Sequence, residues 1–105
     1  MNIVVMTTTV GSEADAARLA SDLVARRLAA CVQVDAGVRS FYRWQGRDCE
    51  DLEWRLTLKT VPERADAVAA FLSEHHPYEL PQVVMVPARA SADYAAWVRS
   101  EVGEG

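Results

Sequence analysis

The side chains able to do chemistry are few and grouped. The only histidines are the adjacent pair His75 and His76, which run straight into Pro77-Tyr78-Glu79. Imidazole is the commonest side-chain ligand for borderline metals. Neighbouring positions on a regular helix point about 100° apart, but Pro77 forces His76 out of helical geometry and can swing the two rings toward one ion. The alternative is that both histidines complement the negative end of a helix. Cys31 has the apolar neighbours of a small buried hydrophobe, whereas Cys49 lies among Asp48, Glu50 and Asp51. Without C-x-x-C spacing they predict neither a structural zinc site nor a disulfide framework. The run Asp48, Glu50, Asp51, Glu53 reads either as a cation attractor or as a solvated edge. Lys59 is the only lysine, every other strong base being arginine. We expect Lys59 near Tyr78 and Glu79. A Lys59–Glu79 pair would then be either a structural salt bridge or part of a polar pocket for a small anion or metabolite, with Trp44 of a neighbouring copy as its lid. Ser-His-Asp and Cys-His sets have no local motif behind them, so no enzyme is predicted. Thr7-Thr8-Thr9 before Gly11-Ser12 lacks the glycines and lysine of a phosphate loop and reads as a helix start.

The elements that must position these groups follow from periodicity. Asn2–Thr9 reads as a first strand, with Ile3-Val4-Val5 at its start. Ser12 is placed to cap a helix whose apolar face is Ala16, Leu19, Ala20, Leu23, Val24 and Leu28. Cys31–Asp35 is a second strand, which Gly37 should break. The chain then runs out through Val38–Gln45, reverses at Gly46-Arg47-Asp48 and returns through Asp51–Thr60. On the return, Leu52, Trp54, Leu56 and Leu58 alternate with polar residues. Thr60 and Glu63 have capping-box spacing for a second helix that stops before Pro77. Val83–Val86, fenced by Pro81 and Pro87, is a last strand, and Ser91–Val102 a short helix with Tyr94, Trp97 and Val98 as its apolar face. The order βαββαβ plus a C-terminal helix predicts an α+β, ferredoxin-like split β-α-β fold, with an antiparallel sheet and a long hairpin between the second and third strands. Each arm of that hairpin would span about ten residues, on the order of 33 Å. Its aromatic and aliphatic residues, Trp44, Leu52, Trp54, Leu56 and Leu58, are the expected oligomer interface.

Composition bounds the function. The chain has 105 residues, half of them hydrophobic and a quarter charged, which suits a single domain over 1–105. Eleven basic against fifteen acidic residues give a net charge of −4, which argues against a nucleic-acid partner. No stretch approaches the ~20 apolar residues of a membrane span. No basic segment precedes the first strand, so a cytoplasmic protein without a signal peptide is expected.

Five segments then fall into one register: Leu28-Ala29-Ala30-Cys31-Val32, Tyr42-Arg43-Trp44-Gln45-Gly46-Arg47, Leu58-Lys59-Thr60, His76-Pro77-Tyr78-Glu79-Leu80-Pro81 and Asp93-Tyr94-Ala95-Ala96-Trp97. In order and spacing they resemble the CutA divalent-cation tolerance family from Val4 to Val102. The resemblance implies a cytoplasmic, non-enzymatic homotrimer whose hairpins embrace neighbours, with copper or another divalent cation as its ligand. The family's copper-ligand histidines map onto His75 and His76. A cysteine that accompanies them maps onto Thr8, whose hydroxyl is a poor substitute for a thiolate. Ala88-Arg89-Ala90-Ser91 also departs from the family, which usually has a glycine there, and Asp48 and Trp54 stand where aliphatic residues are more usual. Trimers of this build resemble the PII signalling proteins, which leaves a second reading: a trimeric small-ligand sensor with pockets between subunits.

Overall fold

The β-branched run after Asn2 forms β1 (Asn2–Val10), and Ser12 caps α1 (Glu13–Ala25) by accepting the Asp15 N–H at 3.1 Å. In the computed structural model, which describes residues 2–103, there follow β2 (Cys31–Trp44), β3 (Arg47–Thr60), α2 (Pro62–His75), β4 (Val84–Arg89) and α3 (Ala92–Glu101). The four strands form one antiparallel sheet in the order β2-β3-β1-β4. This is the expected split β-α-β architecture. Leu19 and Leu23 of α1 and Val68, Phe71 and Leu72 of α2 bury against Val4, Met6, Val10, Leu56 and Leu58 on one face of the sheet. A second cluster joins α3, through Ala95 and Val98, to Ile3 and Val61. Ile3 alternates with Val4, so α3 packs on the face opposite α1 and α2.

β2 and β3 have 14 residues each, about 46 Å at 3.3 Å per residue. They account for the 44 Å long axis of the subunit. Gly37 does not break β2 as expected. Asp35 faces Arg55 and Val38 faces Glu53, so Ala36 and Gly37 together oppose Trp54 in a bulge, with Gly37 at φ 74°. The bulge reverses the facing of everything beyond it. Val32 and Val34 share the helix-covered face with Leu58 and Leu56, whereas Tyr42 and Trp44 lie on the opposite face with Asp51 and Glu53. The reversal is also tighter than expected. Trp44 pairs with Arg47, leaving Gln45 and Gly46 as a two-residue turn with φ 50° and 78°, the signs of a type I′ hairpin.

Three further expectations give way to packing. Thr60 forms no capping box. It ends β3, and its buried hydroxyl donates to the Leu28 carbonyl at 2.7 Å, so Val61 is the N-cap of α2 without a side-chain bond. Pro87 does not fence the last strand but lies inside β4, opposite Val4. An edge strand tolerates a proline because one side of it has no ladder to donate to. On α3 the buried residues are Ala95 and Val98, while Tyr94 and Trp97 are exposed.

The expected interface residues also divide. Leu56 and Leu58 are 0% exposed within one subunit, under α1 and α2, and Trp54 packs against the same core. Leu52, on the same face but further out, is 56% exposed. The helices end before the ribbon does.

Candidate functional site

The two histidines leave α2 in different directions. His75, the last residue of the helix, stacks on Phe71 with ring centroids 4.5 Å apart, and its Nε2 lies 4.0 Å from a Glu74 carboxylate oxygen. His76 is the C-cap, extended at ψ 138° as Pro77 requires, and is buried. Its Nδ1 accepts the Tyr78 N–H at 3.0 Å. Nε2 must then carry the proton, which it donates to the Thr9 carbonyl at 2.9 Å, with the Thr8 hydroxyl 3.0 Å away. Burial holds the His76 imidazole below its usual range, the Thr9 bond and Asp15 acting the other way. A metal needs a bare ring nitrogen, and at His76 one lone pair takes an N–H while the other nitrogen holds a proton. A centre chelated by both histidines therefore does not fit this arrangement. Among the described residues no three His, Cys, Asp or Glu side chains converge as a metal site. Thr8 does stand beside His76, where the resemblance places the cysteine.

Lys59 and Glu79 are not neighbours. α2 begins just after Lys59 and ends just before Tyr78, and its 14 residues span about 21 Å. The helix sets the two at opposite ends of the sheet, which corrects the expected pair. Lys59 instead donates to the Gln33 side chain across β2 and β3, at the surface. Lys59→Met should therefore change stability by no more than ~0.5 kcal/mol, read from the urea midpoint. A loss of several kcal/mol would restore the pair.

Trp44, Tyr78 and Glu79 do come together. They line a cleft of about 800 Å³ between the outer half of the ribbon, the end of β1 at Thr9 and Gly11, and the loop from Pro77 to Gln82. Sequence reasoning missed most of its polar groups. The Tyr42 phenol donates to the Asp51 carboxylate, which raises its pKa to about 12. The Tyr78 phenol donates to Glu53 at 2.6 Å, and burial together with this bond pushes that phenol up as well. Glu53 is only 7% exposed. The Tyr42–Asp51 bond follows from the strand register, which the two-residue Gln45-Gly46 turn fixes, and the Tyr78–Glu53 bond from the packing of the loop after α2 on β3. Read as a longer reversal, that turn leaves Tyr42 and Asp51 unmatched.

A family model for the CutA1 divalent ion tolerance protein matches residues 4–101. The chain belongs to that family. The divalent-cation tolerance protein CutA of Yersinia pestis (strain Pestoides F) is 31% identical over 102 residues, covering 96% of this chain and 86% of its own. Among solved structures, the Cut A1 protein of Thermus thermophilus superimposes with a TM-score of 0.90 at 39% identity, over 98% of this chain and all of its own. CutA1 of Oryza sativa gives 0.93 at 29% identity, over 100% and 97%. This CutA1-family chain thus shares the fold of these proteins along its whole length.

Proposed function

We propose that the protein is a cytoplasmic homotrimer that contributes to divalent-cation tolerance by binding rather than by catalysis. The observation that carries the assembly is the apolar surface a lone subunit leaves bare. Phe41, Leu52 and Leu80 are exposed around the outer ribbon, and Val84, Met85 and Val86 are exposed along the β4 edge. Patches of this kind on a small chain mark association surfaces, and an open strand edge invites pairing. The expected interface is of the obligate type, ~2,000 Å² or more per pair. Sedimentation equilibrium should give a trimer, and the melting temperature should rise with protein concentration. Phe41→Asp combined with Leu80→Asp should shift the population toward monomer. A wild-type monomer at micromolar concentration would overturn the reading.

Binding rather than catalysis is favoured by the state of the titratable groups. The Tyr42 and Tyr78 phenols are held protonated far above neutral pH, and both His76 nitrogens are occupied. A general acid or base works best near the operating pH. For copper, the groups on offer are His75 and Glu74. One imidazole and one carboxylate give a weak, single-histidine site. His75→Ala should abolish copper binding in a competition titration. Copper binding unchanged by His75→Ala would move the site elsewhere.

The cleft supports a second role, as the receptor of a small ligand. Its volume lies within the roughly 300–1,000 Å³ usual for such sites, and its walls mix aromatic and polar groups.

A further inference from the structure

We propose that the cleft between the ribbon and the Pro77–Gln82 loop binds a small organic cation, an ammonium or guanidinium group on a short apolar body. This rests on the small-ligand reading and specifies its chemistry. Three aromatic side chains face the cleft, Tyr42, Trp44 and Tyr78, while the neighbouring Phe41 turns to the other side of the ribbon, where the Arg39 guanidinium lies 5.1 Å over its ring. Aromatic faces attract cations, most strongly where water is excluded. Asp51, Glu53 and Glu79 line it too, and no arginine or lysine does.

The pairing of charges along the ribbon sharpens the point. Arg39 pairs with Glu50, Arg43 with Asp48, and Arg55 with Asp35. The two ribbon carboxylates on the cleft, Asp51 and Glu53, receive phenols instead. A phenol orients a carboxylate without cancelling its charge. Glu53 is more than nine-tenths buried, and its hydrogen-bond donor is neutral. A buried carboxylate is costly without a counter-charge, and a cationic ligand would supply one.

The alternatives fit less well. Moving Lys59 to the far end of α2 takes away the base that an anion or metabolite carboxylate would need. A bare divalent ion asks for several converging ligands, about four for zinc and six or more oxygens for calcium, whereas no three acidic, histidine or cysteine side chains converge on one point among the described residues. The aromatic rings would add nothing to such an ion. An organic cation uses both features of the wall at once.

The test is isothermal titration calorimetry on the full chain at low salt. Agmatine and choline are the cationic probes, and glutarate and ATP the anionic ones. At least one cation should bind saturably, and more weakly as salt is raised. Trp44→Ala and Asp51→Asn should each weaken it about tenfold or more, as losing a contact to a charged group does. Both positions are on the outer ribbon, away from the folded core, and circular dichroism with sedimentation equilibrium checks that the variants keep their structure and their assembly. Silence from both cations overturns the proposal, as does cation binding that both variants leave intact. Glutarate or ATP binding that is lost in Trp44→Ala, with the cations silent, would keep a small-ligand site and reject its cationic character. Copper titration of the same samples reports separately on the metal reading, because His75 is not part of the cleft lining.

Discussion

His76→Ala is expected to destabilise the subunit by about 3 kcal/mol, since it strands two or three buried polar groups at once and leaves a void. The ring links the Tyr78 N–H, the Thr9 carbonyl and the Thr8 hydroxyl. It thereby ties the loop after α2 to the end of β1, and so holds one wall of the cleft. The same ring makes stability depend on pH. Burial lowers its native pKa and Arg18 adds to the effect, against the Thr9 bond, Asp15 and Glu53, which favour the charged form. The unfolded chain, with a pKa near 6.5, therefore takes up the proton first. Its contribution is complete above that value and is lost as pH falls below about 6.5 and through the native pKa. Urea midpoints at fixed protein concentration, above and below that pH, should diverge for the wild type. The part due to this ring should vanish in His76→Ala. Equal midpoints for the two proteins at neutral pH would remove His76 from this role.

Tyr78→Phe should cost about 2 kcal/mol, the scale for a hydrogen bond to a buried charge. The phenol is the donor to Glu53, and phenylalanine keeps the ring while leaving the carboxylate bare. The double variant Tyr78→Phe, Glu53→Gln should recover part of the loss, because a neutral amide is cheaper to bury than an unpaired carboxylate. Adding the single variant Glu53→Gln closes a double-mutant cycle that isolates the coupling. Gly11→Ala provides an independent approach to the same bond. A methyl there would sit 3.3 Å from the Tyr78 oxygen and 3.8 Å from Cε1, close enough to shift the phenol oxygen by a few tenths of an ångström. It should weaken stability in the same direction, by less. A Tyr78→Phe protein with an unchanged urea midpoint would show that Glu53 does not depend on its phenol.

The order of elements was legible in the chain because each rests on a local pattern. The alternation from Leu52 to Leu58 pointed to β3 and its buried face, and Ser12 marked the start of α1 through its side-chain bond to the Asp15 N–H. The five segments from Leu28 to Trp97 identified the family from residue types and spacing alone. Pro77 set the end of α2 because its ring excludes a helical His76. What failed depended on relations between segments. Alternation cannot show how far a covering helix reaches, so Leu52 looked like Leu56 although only the latter is roofed. Nor does a proline reveal whether its strand lies at an edge, as β4 does.

The site was legible in part: Tyr78 and Glu79 were expected together and line one cleft, whereas Trp44, expected from a neighbouring copy, lines it within its own subunit. Asp51, Glu53 and Tyr42 were not seen as its polar core. With Gly37 expected to end the second strand, nothing in the sequence related the facing of Tyr42 and Trp44 to that of Val32 and Val34. One extra residue in the bulge carries the two aromatics to the other side. The directions of His75 and His76 were likewise undetermined, since a single ψ after the helix decides them and the partners that fix it, Thr8 and Thr9, lie more than sixty positions away in the chain. Residue types and local periods thus determined which elements form and in what order. The bulge, the length of α2 and the contact between β1 and the loop after α2 decided which side chains meet, because those are set by packing between distant segments.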